Sequence, residues 1–265
     1  MRRLAIVWLA ALAACSSEPP RPSPEAVAQL APTGKLRAAI NFGNPVLASK
    51  DPASGEPRGV SVDLSRELAR RLGVPLEIVP YAAAGRVVEA ARSGVWDVGY
   101  VALDPLRAVD MIQSPPYVVI EGSYLVPAES PIRSNAEVDR DGIRIAVGKG
   151  SAYDLFLTRE IKRAMLVRAP TSPEVVSTMI RENLEVAAGV RQQLEADAKR
   201  TAGVRLLPGR FMVINQAMAV PKGRDAGARY VRQFIEEMKA TGFVAQALAR
   251  HGVEGAAVAS PDEPR

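Results

Sequence analysis

The sequence predicts an α/β chain built as two lobes and crossed twice by the backbone. Three observations carry this expectation. Short apolar strands alternate with amphipathic helices from about residue 35 onward. The alternation breaks at the long extended run YVVIEGSYLVP, residues 117–127, and breaks again at FMVINQAMAVP, residues 211–221. Strands and helices alternating at this spacing argue a mostly parallel sheet covered on both faces, with the loops at the carboxyl ends of the strands converging on a ligand.

Ahead of this pattern, MRRLAIVWLAALAA (1–14) places two arginines before an eleven-residue apolar stretch. That is the pattern of an export signal and is too short to span a membrane. LAAC (12–15) resembles the lipobox of bacterial lipoproteins, which implies lipidation of Cys15, the only cysteine; an ordinary signal peptide with a chance cysteine is the alternative. Residues 15–33, rich in Pro and Ser at their start, read as a flexible tether. The domain beyond has no thiol, so its folding rests on core size, and about 230 residues suffice for two modest α/β units.

Within the domain, KLRAAI (35–40) is a strand, SVDLSRELARRLG (61–73) a helix stopped by Gly73, LEIVPY a strand, GRVVEAARSG a helix closed by Gly94, and DVGYVAL a strand. After the first extended run come strand IRIAVG, helix AYDLFLTREI, strand MLVRA, helix PEVVSTMIRE, strand LEVAAG, helix VRQQLEADAKR and strand VRLLP. The second run leads to the helices AGARYVRQFIEEMKATG and FVAQALARHG. The resulting division is a first lobe over 34–121, a second over 122–216, a return to the first over 217–253 and a disordered tail over 254–265.

There are 34 Lys+Arg against 29 Asp+Glu, or 32 against 29 without Arg2 and Arg3. That weak excess, with no basic stripe interleaved with aromatics, speaks against nucleic acid as a partner. No metal-ligand spacing, nucleophile elbow or phosphate loop is present, so no cofactor, metal or catalytic residue is expected. His251 reads as a helix-end residue.

Arg107 follows the third strand behind the turn-forming pair Asp104-Pro105. A guanidinium there can fork onto a carboxylate and stays charged when buried, so Arg107 is the candidate anion anchor, with an ordinary surface arginine as the bland alternative. In GKGSAYDLF (148–156), Gly150 permits a tight turn and Ser151 can cap the next helix, whose first amides form an anion site. Phe42, Tyr81 and Tyr117 stand near strand ends or the lobe junction, where a flat face can line a ligand; Trp96, Phe156 and Phe234 read as core. Asn215 and Gln216, polar within an apolar run, need partners if buried, and Glu121 raises the same question.

In order along residues 34–250, these segments resemble the family-3 solute-binding proteins of bacterial ABC importers, the polar-amino-acid type. GVSVDLSRELARRLGVPLEIVP is similar to the family's G-F-x-V-D-L-x-x-x-I-A-x-x-L-G stretch. SGVWDVGYVALDPLR is similar to its S-G-x-x-D segment and the following Thr-x-x-Arg; SPPYV, IRIAVGKGS and AMAVPKG resemble the lobe junctions. The resemblance implies the two-lobed periplasmic-binding-protein fold and binding without chemistry. It also implies that Arg107 grips the solute's carboxylate, that Ser151 assists, and that an inner-membrane permease, driven by a separate ATPase, receives the solute. A monomer in the periplasm, held to a membrane through lipid only, is the expected form, with a small anionic or zwitterionic solute.

Departures from the family pattern bear on the ligand. Asn44 and Ala84 stand where aromatics are usual, and Asp104 takes the place of the Thr. Val190, followed by Arg191, occupies the position of an Asp that receives the ligand's ammonium. An ammonium left without an acceptor loses solvation it does not recover, so a carboxylate compound without an α-amine is expected unless Asp104, Glu121 or Glu185 compensates. Arg191, if it enters the cleft, offers a second acid group a partner. Two rival readings remain: a periplasmic dehydratase-like enzyme on the same scaffold, with Glu185 or Glu121 as general acid, and a ligand-sensing or assembly protein.

Overall fold

The computed structural model describes residues 21–261; Cys15 and the export signal lie outside the described residues. Helix α1 (Pro24–Leu30) opens the chain, capped by Ser23, whose hydroxyl accepts the Ala26 amide at 3.1 Å. Strand β1 (Leu36–Asn41), a short hairpin of β2 (Ser49–Lys50) and β3 (Pro57–Arg58), and helix α2 (Val60–Leu72) follow. The expected stripe Val62, Leu64, Leu68, Ala69 and Leu72 is buried, and Gly73 ends the helix at φ 69°, a left-handed conformation that glycine adopts without Cβ strain. Next come β4 (Leu76–Tyr81), α3 (Ala84–Glu89), β5 (Val98–Ala102) and the long crossover strand β6 (Met111–Pro127). The second block comprises β7 (Arg144–Gly148), α4 (Ala152–Glu160), β8 (Met165–Ala169), α5 (Val175–Arg181), β9 (Val186–Val190), α6 (Arg191–Arg200) and β10 (Val204–Leu206). Crossover strand β11 (Met212–Pro221), helices α7 (Asp225–Ala240) and α8 (Phe243–Arg250) and the short β12 (Ala257–Val258) complete it.

One sheet runs through both lobes in the order β4-β1-β5-β11-β6-β9-β7-β8, with β10 and β12 also paired to β6. Within each lobe the pairing is parallel, β4 and β5 flanking β1 and β8 and β9 flanking β7. At the junction β11 and β6 run antiparallel to each other and to β5 and β9 respectively. This is the two-lobed α/β architecture with linking crossover strands. The first crossover begins at Met111, six residues before the expected Tyr117.

The reason is Pro115-Pro116, which lacks N–H donors and reads as a strand break. β6 instead continues through it with register shifts opposite Gln216–Ala219, and the Met218 amide takes the Ser114 hydroxyl at 3.1 Å.

Both faces of the first lobe are covered, α2, α7 and α8 lying over one and α3 with the buried Trp96 over the other. Asp97, fully buried, accepts from Arg37 and from Arg224, tying β1 to the loop that enters α7.

Three expectations are corrected. The segment 15–33 is not a tether throughout: α1 seats Ala26 and Leu30 against α7, because their spacing puts both on one helical face. The tail expected to be disordered from 254 instead contributes β12, paired with Val118 and Val119. Helix α3 ends at Glu89 rather than running to Gly94, its last carbonyls satisfied by turn bonds from Ala90 and Ala91. Among the described residues no helix is long and apolar enough to cross a membrane.

Candidate functional site

Strand ends from both lobes meet at one small cleft. The first lobe supplies Asn41, Gly43, Asn44 and Leu47 after β1, Ser61 at the start of α2, and Ala84. Tyr100, Val101 and Ala102 of β5 continue the wall to Arg107. Opposite stand Ser151, Ala152 and Tyr153 at the start of α4, then Ser172 and Val190, with Ile214 and Gln216 contributed by β11. These surfaces enclose a cavity of ≈ 40 Å³, room for about three water molecules at ~10–15 Å³ each.

Arg107 reaches this cleft through a turn that its own sequence builds. Asp104 Oδ1 accepts the Leu106 amide at 2.9 Å, and the Asp104 carbonyl accepts the Arg107 and Ala108 amides, closing a 3-10 turn over Arg107–Val109. The guanidinium is 1% exposed. One terminal nitrogen donates to the Ala102 carbonyl at 3.0 Å and the other crosses the cleft to the Gly150 carbonyl at 2.9 Å. Its Nε is buried without a partner. Burial pushes the pKa of Arg107 down to about 10, with the Asp104 charge acting in the opposite direction. A buried cation with a free donor and no bonded carboxylate has the chemistry to receive an anion.

Ser151 caps α4, its hydroxyl accepting the Asp154 amide at 3.0 Å, which leaves the hydroxyl proton to donate. The turn before it depends on Gly150, at φ 70°, where a Cβ would lie 2.8 Å from the Cα of Gly85 across the cleft. Two glycines thus let the lobes touch.

Of the residues singled out from sequence, Arg107, Ser151, Asn44, Gln216, Ala84 and Val190 line the cleft, and Gly150 holds Arg107 by its carbonyl. The rest do not line it. Asp104 forms a 3.0 Å ion pair with Arg159 of α4, across the lobes. Tyr117 is fully buried one layer below, its hydroxyl 3.2 Å from that of Ser61 and its ring edge-on to Tyr100. Phe42 lies beneath the Lys50 ammonium, 5.7 Å from the ring centroid, in a separate groove beside α6. Tyr81 stays at the end of β4, and Asn215 gives its carbonyl to the Leu103 amide.

Glu121 is held by Arg210 at 2.7 Å and Arg191 at 2.9 Å, which keep its carboxyl below the usual range. Arg191, spent on Glu121 and the Gly209 carbonyl, is therefore no second cation of the cleft. Glu185 is likewise forked by Arg144 and held low. Neither glutamate is in a position to act as a general acid on a solute in the cleft.

Sequence reasoning missed Asn41, Ser61, Tyr100, Tyr153, Ser172 and Ile214. The convergence of strand carboxyl ends was the available signal for Asn41, at the end of β1, and for Ser172, beyond β8. Ser61 and Tyr153 had none, since both read as ordinary helix positions.

Residues 36–254 match the family model described as bacterial extracellular solute-binding proteins, family 3. No curated protein matches the chain. Among solved structures, the chain is similar to the solute receptor for L-cysteine of Neisseria gonorrhoeae, at 25% identity and a TM-score of 0.75 over 86% of this chain and 94% of that one. A mutant of ArgBP from T. maritima aligns at 20% identity and a TM-score of 0.73, over 86% and 100%. The ancestral amino acid-binding protein AncCDT-1, a precursor of cyclohexadienyl dehydratase, aligns at 20% and 0.71, over 84% and 98%.

Proposed function

The chain belongs to the bacterial extracellular solute-binding proteins, family 3, and from that premise we propose that it captures a small carboxylate-bearing solute between its lobes and delivers it to the permease of an ABC importer. Its general role is that of a substrate-binding component of the amino-acid type. The observation that carries the finer reading is the unpartnered Nε of the buried Arg107 in the cleft wall. A carboxylate meeting that donor gains a charge-assisted hydrogen bond in a small, largely buried cleft, and the Ser151 hydroxyl supplies a second donor from the other lobe.

Binding and closure are then one event. Lobes joined by β6 and β11 move as bodies about those strands, and a solute touching Arg107 on one and Ser151 on the other favours the closed arrangement. Asp104–Arg159 and the 2.9 Å bond from Arg107 to the Gly150 carbonyl also form only when the lobes meet. The permease would read the closed shape. Anchoring of the mature protein in the periplasm through Cys15 fits this role.

Isothermal titration with a panel of small carboxylates and their uncharged amides tests the reading. Heat from an acid, none from its amide, and none from the acid with Arg107→Met is the expected result. An amide bound as tightly as its acid would overturn it. AncCDT-1 is described as a precursor of a dehydratase, but the two glutamates with which this chain could have followed that course are ion-paired away from the cleft.

A further inference from the structure

We infer that the solute carries one acid group and no ammonium: a small monocarboxylate of the hydroxy- or oxo-acid kind. The inference rests on the carboxylate reading above and narrows it. Among the described residues, Arg107 is the single charged side chain lining the cleft, and no aspartate or glutamate lines it. A bound monoanion neutralises that charge. A bound zwitterion would instead bring a cation into a wall with no acid to receive it.

The acids near enough to compensate are already committed. Asp104 points its second carboxylate oxygen at Arg159, and Glu121 lies between Arg191 and Arg210. The two asparagine oxygens of the wall already accept a backbone amide each, Asn41 Oδ1 from Gly43 at 3.0 Å and Asn44 Oδ1 from Val46 at 3.3 Å, and the acceptors left to the wall are uncharged. Val190 and Ile214 present only methyl groups. A second acid group fares no better than an ammonium, because Arg191 is turned to Glu121 and away from the cleft.

What the wall does offer a neutral neighbour of the carboxylate is hydroxyl and amide chemistry, from Ser61, Ser172 and Gln216. These groups can donate to, or accept from, an alcohol or a ketone without any net charge. Val190 sets the exclusion. It stands at the N-cap of α6 with no side-chain capping bond, at φ −64° and ψ 130°, a conformation in which aspartate is a favoured cap. A carboxylate can therefore be placed at that point of the wall without breaking the helix.

Matched pairs that differ only in the amine test this: glycolate with glycine, L-lactate with L-alanine, 2-hydroxyisovalerate with valine, and malate with aspartate for a second acid. Titrations use the full mature chain. The expected result is that at least one monocarboxylic hydroxy acid binds at least about tenfold more tightly than its amino acid, tenfold being about 1.4 kcal/mol. Malate is expected to bind less well than the best monoacid. Val190→Asp is expected to narrow or reverse the preference while Arg107→Met removes binding of both partners.

Equal or tighter binding of the amino acids, dependent on Arg107, would overturn the inference and leave the carboxylate reading standing. Binding that ignores Arg107 would overturn both.

Discussion

Replacing Arg107 with methionine should abolish capture of the solute and, in ligand-free protein, slightly raise stability. Removal of an arginine usually does the opposite when the residue is a structural staple, so the sign is informative. At about 1.4 kcal/mol per pKa unit, lowering the group from its ordinary value to about 10 means that holding the charge in the folded, ligand-free cleft opposes folding by about 3 kcal/mol. The sign follows from linkage: a base whose folded pKa lies below its unfolded one destabilises fully below about pH 10 and ceases to do so as pH rises through its ordinary, unfolded value.

Methionine fills the buried space and removes the charge, at the loss of two hydrogen bonds worth about 0.5–1.5 kcal/mol each. The Ala102 carbonyl keeps a partner in Gln113 Nε2 at 3.0 Å, so only the Gly150 carbonyl is left open, at the cleft. The balance is a gain of about 1 kcal/mol, or roughly 2–4 °C in Tm for a chain of this size. Calorimetry on protein stripped of ligand by unfolding and refolding measures it. Wild type should overtake the variant once a bound acid is present, since ligand at about 100 times Kd adds about 2.7 kcal/mol. A fall in Tm of more than about 5 °C in the ligand-free variant would show instead that Arg107 holds the lobes together.

Leu30→Ala, in the segment expected to be a tether, should cost about 2–4 kcal/mol because Leu30 is fully buried against α7, and chemical denaturation with unchanged slope would record it. Gly150→Ala should hold the lobes apart, since its Cβ would meet Gly85 Cα at 2.8 Å and its φ of 70° strains any other residue; small-angle scattering with saturating solute should then show no contraction. Glu67, which Arg70 and Arg71 hold down to about 2, contributes stability that is present above about pH 4.5 and lost as pH falls toward 2. With Arg70 largely in solvent the contribution is about 1 kcal/mol, so the Tm gap between wild type and Glu67→Gln should close across that interval.

The fold was legible because its elements are locally consistent. In α2 the apolar stripe, the Gly73 stop and the basic last turn all agree, and β8 matches its expected span, Met165–Ala169, to the residue. Reading failed where a local rule was overridden by tertiary contact: Pro115-Pro116 inside β6, rescued by Ser114, and α1, whose short apolar stripe means nothing until α7 is beside it.

In the site, Arg107, Ser151 and Gln216 were found because each is polar in a context that demands a partner. Asp104, Glu121 and Arg191 satisfied the same criterion and belong elsewhere, because their partners, Arg159 and Arg210 among them, are distant in sequence and pair with them only in the folded chain. Charge pairing of this kind has no signature in spacing.

Native mass spectrometry of the protein purified without denaturation bears most directly on the claim that Arg107 holds a small carboxylate between the lobes. The expected result is a one-to-one adduct that denaturation releases as a small organic acid, and no adduct on Arg107→Met purified in parallel. An adduct kept by the variant at wild-type occupancy, or a released compound with no acid group, would contradict it.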